Sequence, residues 1–386
     1  MVTFKKLMQI IGLSVIVTSV AHSPAPAVAA SGTTQSATAG APAVQVYLNN
    51  EQITSPAGGA TLINNTVMLS LDKLYVRGAN ITYDEHSRML TIQNLLTQGS
   101  MKIGSTHASV NGKQITYPAA FQQVNKKLYI PLRFVNDAIG GSLEWDTLKR
   151  EAFISYPEYT GKGRTAKNAY FLNGLDGTLY KRDAEGKVHS LGASTAKLDP
   201  YYIANTEITA EKISADADLV TIQYSSGEPS VNLTVYNMFV KKGVILRQSK
   251  ANYWQFYPED IKSYDGNAVM NDGHSVRLIA PDGSVKQTWN MSKLAGTPDA
   301  TYAIEGISGN VLIVRSSQDG VLTLIDTVAK QAVVLYKEFD IDPKEFAGFI
   351  YDGIRFTGVS PDQTELQFMF TNNKKASRPF TYRLGS

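Results

Sequence analysis

Lys127–Ile154 reads KLYIPLRFVNDAIGGSLEWDTLKREAFI, and it holds a strand, a helix and two further strands with every boundary marked. Leu128 and Ile130 alternate with Tyr129, as in a half-buried strand, and Pro131 stands where the first turn of a helix tolerates proline. Leu132, Val135 and Ile139 then recur at helical spacing with Phe134 and Ala138 beside them. That spacing predicts an apolar stripe toward a core, with Arg133, Asn136 and Asp137 toward water. Gly140 and Gly141 stop the helix. Leu143 and Trp145 fall on one side of the next strand, Asp146 to Lys149 reads as a turn, and Ala152 and Ile154 resume the alternation. A buried Trp145 ring is expected to anchor this unit.

The phrase occurs earlier in altered form. Val67 to Leu71 (VMLSL) matches Leu128 to Leu132 (LYIPL), and Ile81 to Asp84 (ITYD) matches Leu143 to Asp146 (LEWD), at an offset of about 61 or 62 residues. This is an internal duplication of one supersecondary unit. By this alignment Ser70, the counterpart of Pro131, is a helix-start residue with a capping role. Each copy opens with a hairpin-like segment, Leu48 to Ile53 (LNNEQI) and Val110 to Ile115 (VNGKQI). Asn49-Asn50 and Asn111-Gly112 suit the positive φ of a tight turn.

The run VNGKQI, then LYIPLRFVNDAIGGSLEWD, then an FIS strand resembles the copper amine oxidase N-terminal domain family, the stalk module of many secreted Gram-positive proteins. The resemblance covers about residues 44–156 and implies a non-catalytic α+β appendage. Most carriers of this module have no oxidase, so the name implies no activity.

The expected architecture is multidomain: a signal peptide at 1–29, a flexible linker at 30–43, the stalk domain at 44–156, a second linker at 157–167 and an all-β domain at 168–386. Residues 1–29 have a basic start, an apolar run from Leu7 to Val20 and Ala27-Val28-Ala29 as a small-residue cleavage site. A retained membrane anchor is the competing reading, because the run is only slightly short for a span. Ala30 to Ala43 is Ala, Ser, Thr and Gly, the composition of a tether. Pro157 to Lys167 is polar and aperiodic. From Asn168 onward, short strand pairs recur around Asp176-Gly177, Glu185-Gly186 and similar turns, with unit starts about every 43 to 49 residues, as in four-stranded propeller blades. About five blades fit, and an antiparallel sandwich is the competing architecture. ISADADLVTIQY and VSPDQTELQFMF also resemble the turn-plus-strand phrase of WD40-like and TolB-like propellers.

Composition narrows the chemistry. The 37 basic residues fall to 35 without Lys5 and Lys6, against 34 acidic ones, a balance that gives no support to nucleic-acid binding. The absence of cysteine removes disulfides, thiolate metal sites and a cysteine nucleophile together. A copper amine oxidase needs three histidines and a tyrosine in an Asn-Tyr-Asp or Asn-Tyr-Glu context. Here His22, His86, His107, His189 and His274 are isolated, and Asn252-Tyr253 is followed by Trp254. Ser70 and Ser194 each begin an S-x-x-K without the companion K-T-G. Asp216-Ala217-Asp218, Asp265-Gly266-Asn267 and Asp340-Ile341-Asp342 could offer oxygens to calcium, but self-bonding Asp turns explain each of them. No catalytic residue, metal ligand or cofactor is therefore assigned.

Asn252 to Tyr257 (NYWQFY) packs four rings into six residues. Tyr253, Trp254 and Tyr257 are the candidate ligand-binding residues, since rings beside amides and carboxylates stack on sugar faces. Packing of the same rings in a core is the competing reading. The sequence thus predicts an exported, non-catalytic envelope or extracellular protein that binds a cell-wall or extracellular polymer, with polysaccharide as the candidate class. A secreted polysaccharide hydrolase or lyase with an unrecognised carboxylate site, and a purely structural spacer, are the readings it competes with.

Overall fold

A computed structural model describes residues 44–55, 58–229, 231–254, 260–297 and 299–384. The expected signal peptide and first linker lie outside the described residues. Three sheets and one helix form the N-terminal unit. Its first copy contains β1 (Gln45–Leu48), β2 (Glu51–Gln52), β3 (Ala60–Ile63), β4 (Thr66–Ser70), β5 (Asn80–Asp84) and β6 (Met89–Gln93). After β7 (Gln98–Lys102), the same order returns as β8 (His107–Val110), β9 (Lys113–Thr116), β10 (Gln122–Val124), β11 (Lys127–Pro131), α1 (Leu132–Ile139), β12 (Ser142–Asp146) and β13 (Glu151–Ser155).

The copies interlock. β4 pairs antiparallel with β11, at the centre of the sheet β10-β11-β4-β3. The first copy's β1 lies parallel to the second copy's β13, with Val46 opposite Ala152. The first copy's β5-β6 and the second copy's β8-β9 share the third sheet, joined through β7. Positive φ at Asn49, Asn50, Asn111 and Gly112 closes the two opening hairpins, as their residue types predict. One apolar cluster fills the middle, built on Leu69, Leu90, Phe121, Ile130 and the α1 face Leu132, Phe134, Val135, Ala138 and Ile139. Gly140 ends α1 in the left-handed conformation, at φ 70°.

Four expectations for this unit change. Trp145 is 40% exposed, because β12 is the edge strand of its sheet and the ring lies outside the last paired neighbour. Asn136 is buried rather than facing water. The first copy has no counterpart of α1, only a single 3-10 turn at Leu71–Lys73, after which buried Leu74 and Val76 flank exposed Tyr75 in an extended alternation. Period-two spacing does not gather its apolar residues onto one face of a helix. Ser70 precedes that turn without capping it, and its hydroxyl donates to the Asp72 carboxylate instead.

The expected second linker is mostly strand. Tyr159–Arg164 opens a four-stranded antiparallel meander with Ala169–Asn173, Thr178–Arg182 and Val188–Ala193. Glycines disguised this strand. A bulge lies between Thr160 and Gly163, and a Cβ on Gly161 or Gly163 would come within 2.3 or 2.6 Å of Ile208 in the next sheet. Glycine is thus what allows the close approach. Four more meanders follow. The second is Thr206–Lys212, Ala217–Ser226, Asn232–Lys241 and Val244–Trp254, and the third is Ser263–Tyr264, Asn267–Asn271, Ser275–Ile279 and Val285–Asn290. The fourth is Tyr302–Ser308, Val311–Ser316, Leu322–Asp326 and Gln331–Val334, and the three-stranded fifth is Ile354–Val359, Glu365–Thr371 and Ser377–Arg383. Their starts are less evenly spaced than the sequence suggested.

Apolar clusters join each meander to its successor. Tyr170, Leu172 and Leu179 meet Ile208, Val220 and Ile222; Leu219 and Phe239 meet Ala268, Met270 and Ile279. Val276 and Trp289 meet Tyr302, Ile304 and Val314; Ile313 and Leu324 meet Ile354, Leu366, Phe368 and Phe370. The fifth sheet shows water its other face, where Arg355, Thr357, Gln367, Thr381 and Arg383 are exposed.

Candidate functional site

A cleft of about 700 Å3 opens where the N-terminal unit meets the first meander. Its position follows from the local chain on both sides. The extended segment after Leu71–Lys73 supplies Tyr75 and Arg77, the β5-β6 pair supplies Asn80 and Gln93, and the first meander supplies Tyr159, Phe171 and Arg182.

The two walls are pinned together. Nη1 of Arg77 lies 3.3 Å from Oε1 of Glu158, and its Nη2 lies 3.2 Å from Oε2 of Glu51. The backbone N–H of Arg77 donates to the Tyr156 hydroxyl at 3.1 Å. Asn49 and Tyr156 exchange a pair of hydrogen bonds at 3.1 and 2.9 Å. Gly78, at φ +77°, brings its backbone so close to Tyr159 that a Cβ would stand 2.8 Å from that carbonyl oxygen. Burial pushes the Glu158 carboxyl above its ordinary range, and the Arg77 guanidinium opposes that shift.

Several groups on these walls remain open to a ligand. Tyr75 is 67% exposed at the rim. Asn80 and Gln93 are cross-strand partners whose exposed side-chain amides make no hydrogen bond among the described residues. The Arg182 guanidinium lies over the Phe171 ring at 5.1 Å, and Tyr159 meets Tyr180 edge-on at 5.5 Å. Asn94 also borders the cleft, but it donates to the Ile139 carbonyl and accepts from the Leu96 and Thr97 N–H groups.

The sequence placed its candidates elsewhere, and the structure separates them. Tyr253 is fully buried, its hydroxyl accepting from Nδ2 of Asn271 at 3.1 Å and donating to the Tyr302 carbonyl at 3.3 Å. It is core and cannot stack on a ligand. Trp254 points the other way along the same strand and is 63% exposed. Tyr257 lies outside the described residues.

Beside Tyr253, Asp260 accepts from the Ile304 N–H at 2.7 Å and from Asn271 at 3.0 Å. Burial raises its pKa and lowers that of Lys262, while the two charges oppose those shifts. In the Asp turns considered for calcium, three carboxylates are engaged otherwise. Asp216 binds Lys241 at 2.9 Å, Asp218 takes the Tyr170 hydroxyl and Asn168, and Asp342 accepts from the Lys344 N–H. Among the described residues, no group of three or more His, Asp or Glu side chains is placed to hold a metal ion.

Sequence reasoning missed Tyr75, Asn80 and Gln93. The signal was the alternation of Leu74, Tyr75 and Val76, which marks the one large ring of that segment as outward-facing.

Residues 47–154 match the copper amine oxidase N-terminal domain. That match spans the interlocked unit and stops before the meanders. No curated protein matches the chain. Among solved structures, the chain is similar to the WD40 domain of SCAP from fission yeast, at 12% identity and TM-score 0.26 over 84% of this chain and 67% of that one. It is also similar to virginiamycin B lyase from Staphylococcus aureus, at 8% identity and TM-score 0.24 over 82% and 88%. A third is AztD from Citrobacter koseri, at 9% identity and TM-score 0.22 over 83% and 91%.

Proposed function

We propose that this chain is an exported, non-catalytic binding protein of the cell envelope or extracellular space. In this reading an α+β stalk carries five propeller-like blades, and the cleft at their junction takes a glycan. The observation that carries the reading is one exposed ring, Tyr75, beside two unbonded amides, Asn80 and Gln93, on a rigidly pinned wall. A sugar offers the complement: an apolar C–H face for the ring and hydroxyls for the amides. Concave sites with a few placed polar groups are where such ligands bind. The buried Glu158 carboxyl acts as part of the pin rather than on a ligand, because Arg77 already holds it. Trp254, isolated on the second meander, is a secondary stacking surface.

Retention of the mature protein on purified cell-wall polysaccharide is the direct test. Tyr75→Ala should weaken retention about tenfold, the effect of losing roughly 1.4 kcal/mol of stacking, with Trp254→Ala smaller. Failure of the wild type to bind any wall or matrix fraction would leave the chain a structural spacer. Export is checked separately by N-terminal sequencing of protein from the culture medium, expected to begin at Ala30. Copper loading followed by dialysis should leave no stoichiometric metal.

A further inference from the structure

A second cleft, of about 690 Å3, lies between the third and fourth meanders. Its chemistry differs from that of the junction. Three lysines line it, Lys286 on the last strand of the third meander, Lys293 in the short helix Met291–Ala295, and Lys330 in the turn that follows Leu322–Asp326. All three are exposed, and none is within 4.0 Å of a carboxylate among the described residues. Asp265 is the one acidic residue of the lining, so the cleft carries a formal excess of two positive charges.

The backbone under these lysines is fixed. The Lys293 N–H donates to Oδ1 of Asn290 at 2.9 Å, and Oδ1 of Asp326 accepts from the Val328 and Ala329 N–H groups, each at 2.8 Å. The Tyr264 hydroxyl accepts from the Gly309 N–H at 3.0 Å, which ties the third meander to the fourth at the cleft. Uncompensated like charges held near one another repel, and this repulsion is relieved when an anion enters. The rings here offer little for stacking on bases, since Trp289 is buried in the inter-sheet core and Tyr264 is half-buried against it.

We infer that this cleft binds an anionic, hydroxyl-rich polymer, through its repeated carboxylate or phosphate groups. The inference stands apart from the junction cleft, with which it shares no residue. Titration calorimetry of the full mature chain uses two anionic probes, oligogalacturonate and glycerol phosphate oligomers, with dextran as a neutral control. Binding to at least one anionic probe is expected, and it should weaken as salt rises from 50 to 300 mM, as screening dictates. The combined variant Lys286→Gln, Lys293→Gln, Lys330→Gln should lose about tenfold or more while melting as the wild type does, and Tyr75→Ala should bind these probes normally. Which probe binds identifies the anionic group. Absence of binding to both probes, or equal binding by the lysine variant, overturns the inference without touching the junction cleft.

Discussion

The two halves of the described chain solve the same packing problem in opposite ways. In the N-terminal unit, strands more than a hundred residues apart pair directly, Val46 with Ala152, and every sheet borders one shared core. In the C-terminal series each strand pairs with a chain neighbour, and separate clusters join each sheet to the next. The first arrangement must close long loops before any contact is rewarded. The second is mainly a sum of local sheets and interfaces between successive sheets, with one further cluster in which Val235 and Tyr253 of the second meander meet Ala303 of the fourth. Damage should therefore spread through the first region and stay local in the second.

Matched core deletions are the sharpest way to break this contrast. Phe134 and Phe368 are both fully buried, one on α1 and one in the fifth meander. Truncation of either to alanine should cost about 3 to 5 kcal/mol locally. In Phe134→Ala, native-state hydrogen exchange should accelerate together across β1 to β13. In Phe368→Ala it should accelerate in the fourth and fifth meanders and leave the first unchanged. Uniform acceleration in both variants would show the meanders to be one cooperative block.

The link between the fourth and fifth meanders sharpens the same point. Arg315 pairs with Glu305 and, at 2.8 Å, with Asp352, and its guanidinium also donates to the Gly320 and Ile354 carbonyls at 2.8 and 2.6 Å. Arg315→Met leaves two buried carboxylates without their cation, a loss of about 3 kcal/mol. In urea the variant should show an early transition confined to the C-terminal end. A single shifted transition would refute the serial picture.

A smaller effect marks where the sequence misled. Trp145→Ala should cost only about 1 kcal/mol, since the ring sits half outside an edge strand. An alternation such as Leu143-Glu144-Trp145 identifies a face, but not whether another strand covers it; that depends on β12 being last in its sheet. The α1 stripe and the duplication were legible because both are local repeats. The swap of hairpins between copies was not, because pairing partners leave no periodicity. Likewise Tyr159–Arg164 reads as linker, since its glycines serve Ile208, a residue more than forty positions on. The junction cleft was hidden for the same reason: its ring, amides and cation come from segments that only the folded chain brings together. NYWQFY was the visible aromatic cluster, yet strand alternation buries Tyr253 and leaves Trp254 alone at the surface.

The weakest test uses one chemistry in both regions. Asp362 accepts from Oγ of Ser360 at 2.6 Å and from the Thr364 N–H at 3.2 Å, and these bonds hold its carboxyl at about 2, below the ordinary 3.8. Asp84 accepts from the Ser87 N–H at 2.9 Å, which likewise lowers its pKa. A depressed carboxylate contributes stability above its unfolded pKa and loses that contribution as pH falls through its folded pKa. Each Asp→Asn variant should therefore differ from the wild type at neutral pH and converge with it in acid, for Asp362 between about 4 and about 2. The location of the loss is the discriminating readout. Exchange in Asp362→Asn should rise only around Glu365–Thr371 and its partners, whereas Asp84→Asn, at the end of β5 before its turn into β6, should raise exchange slightly in all three N-terminal sheets. A purely local response to Asp84→Asn would mean that the interlocked unit opens strand by strand, and the contrast between the two regions would not extend beyond their topology.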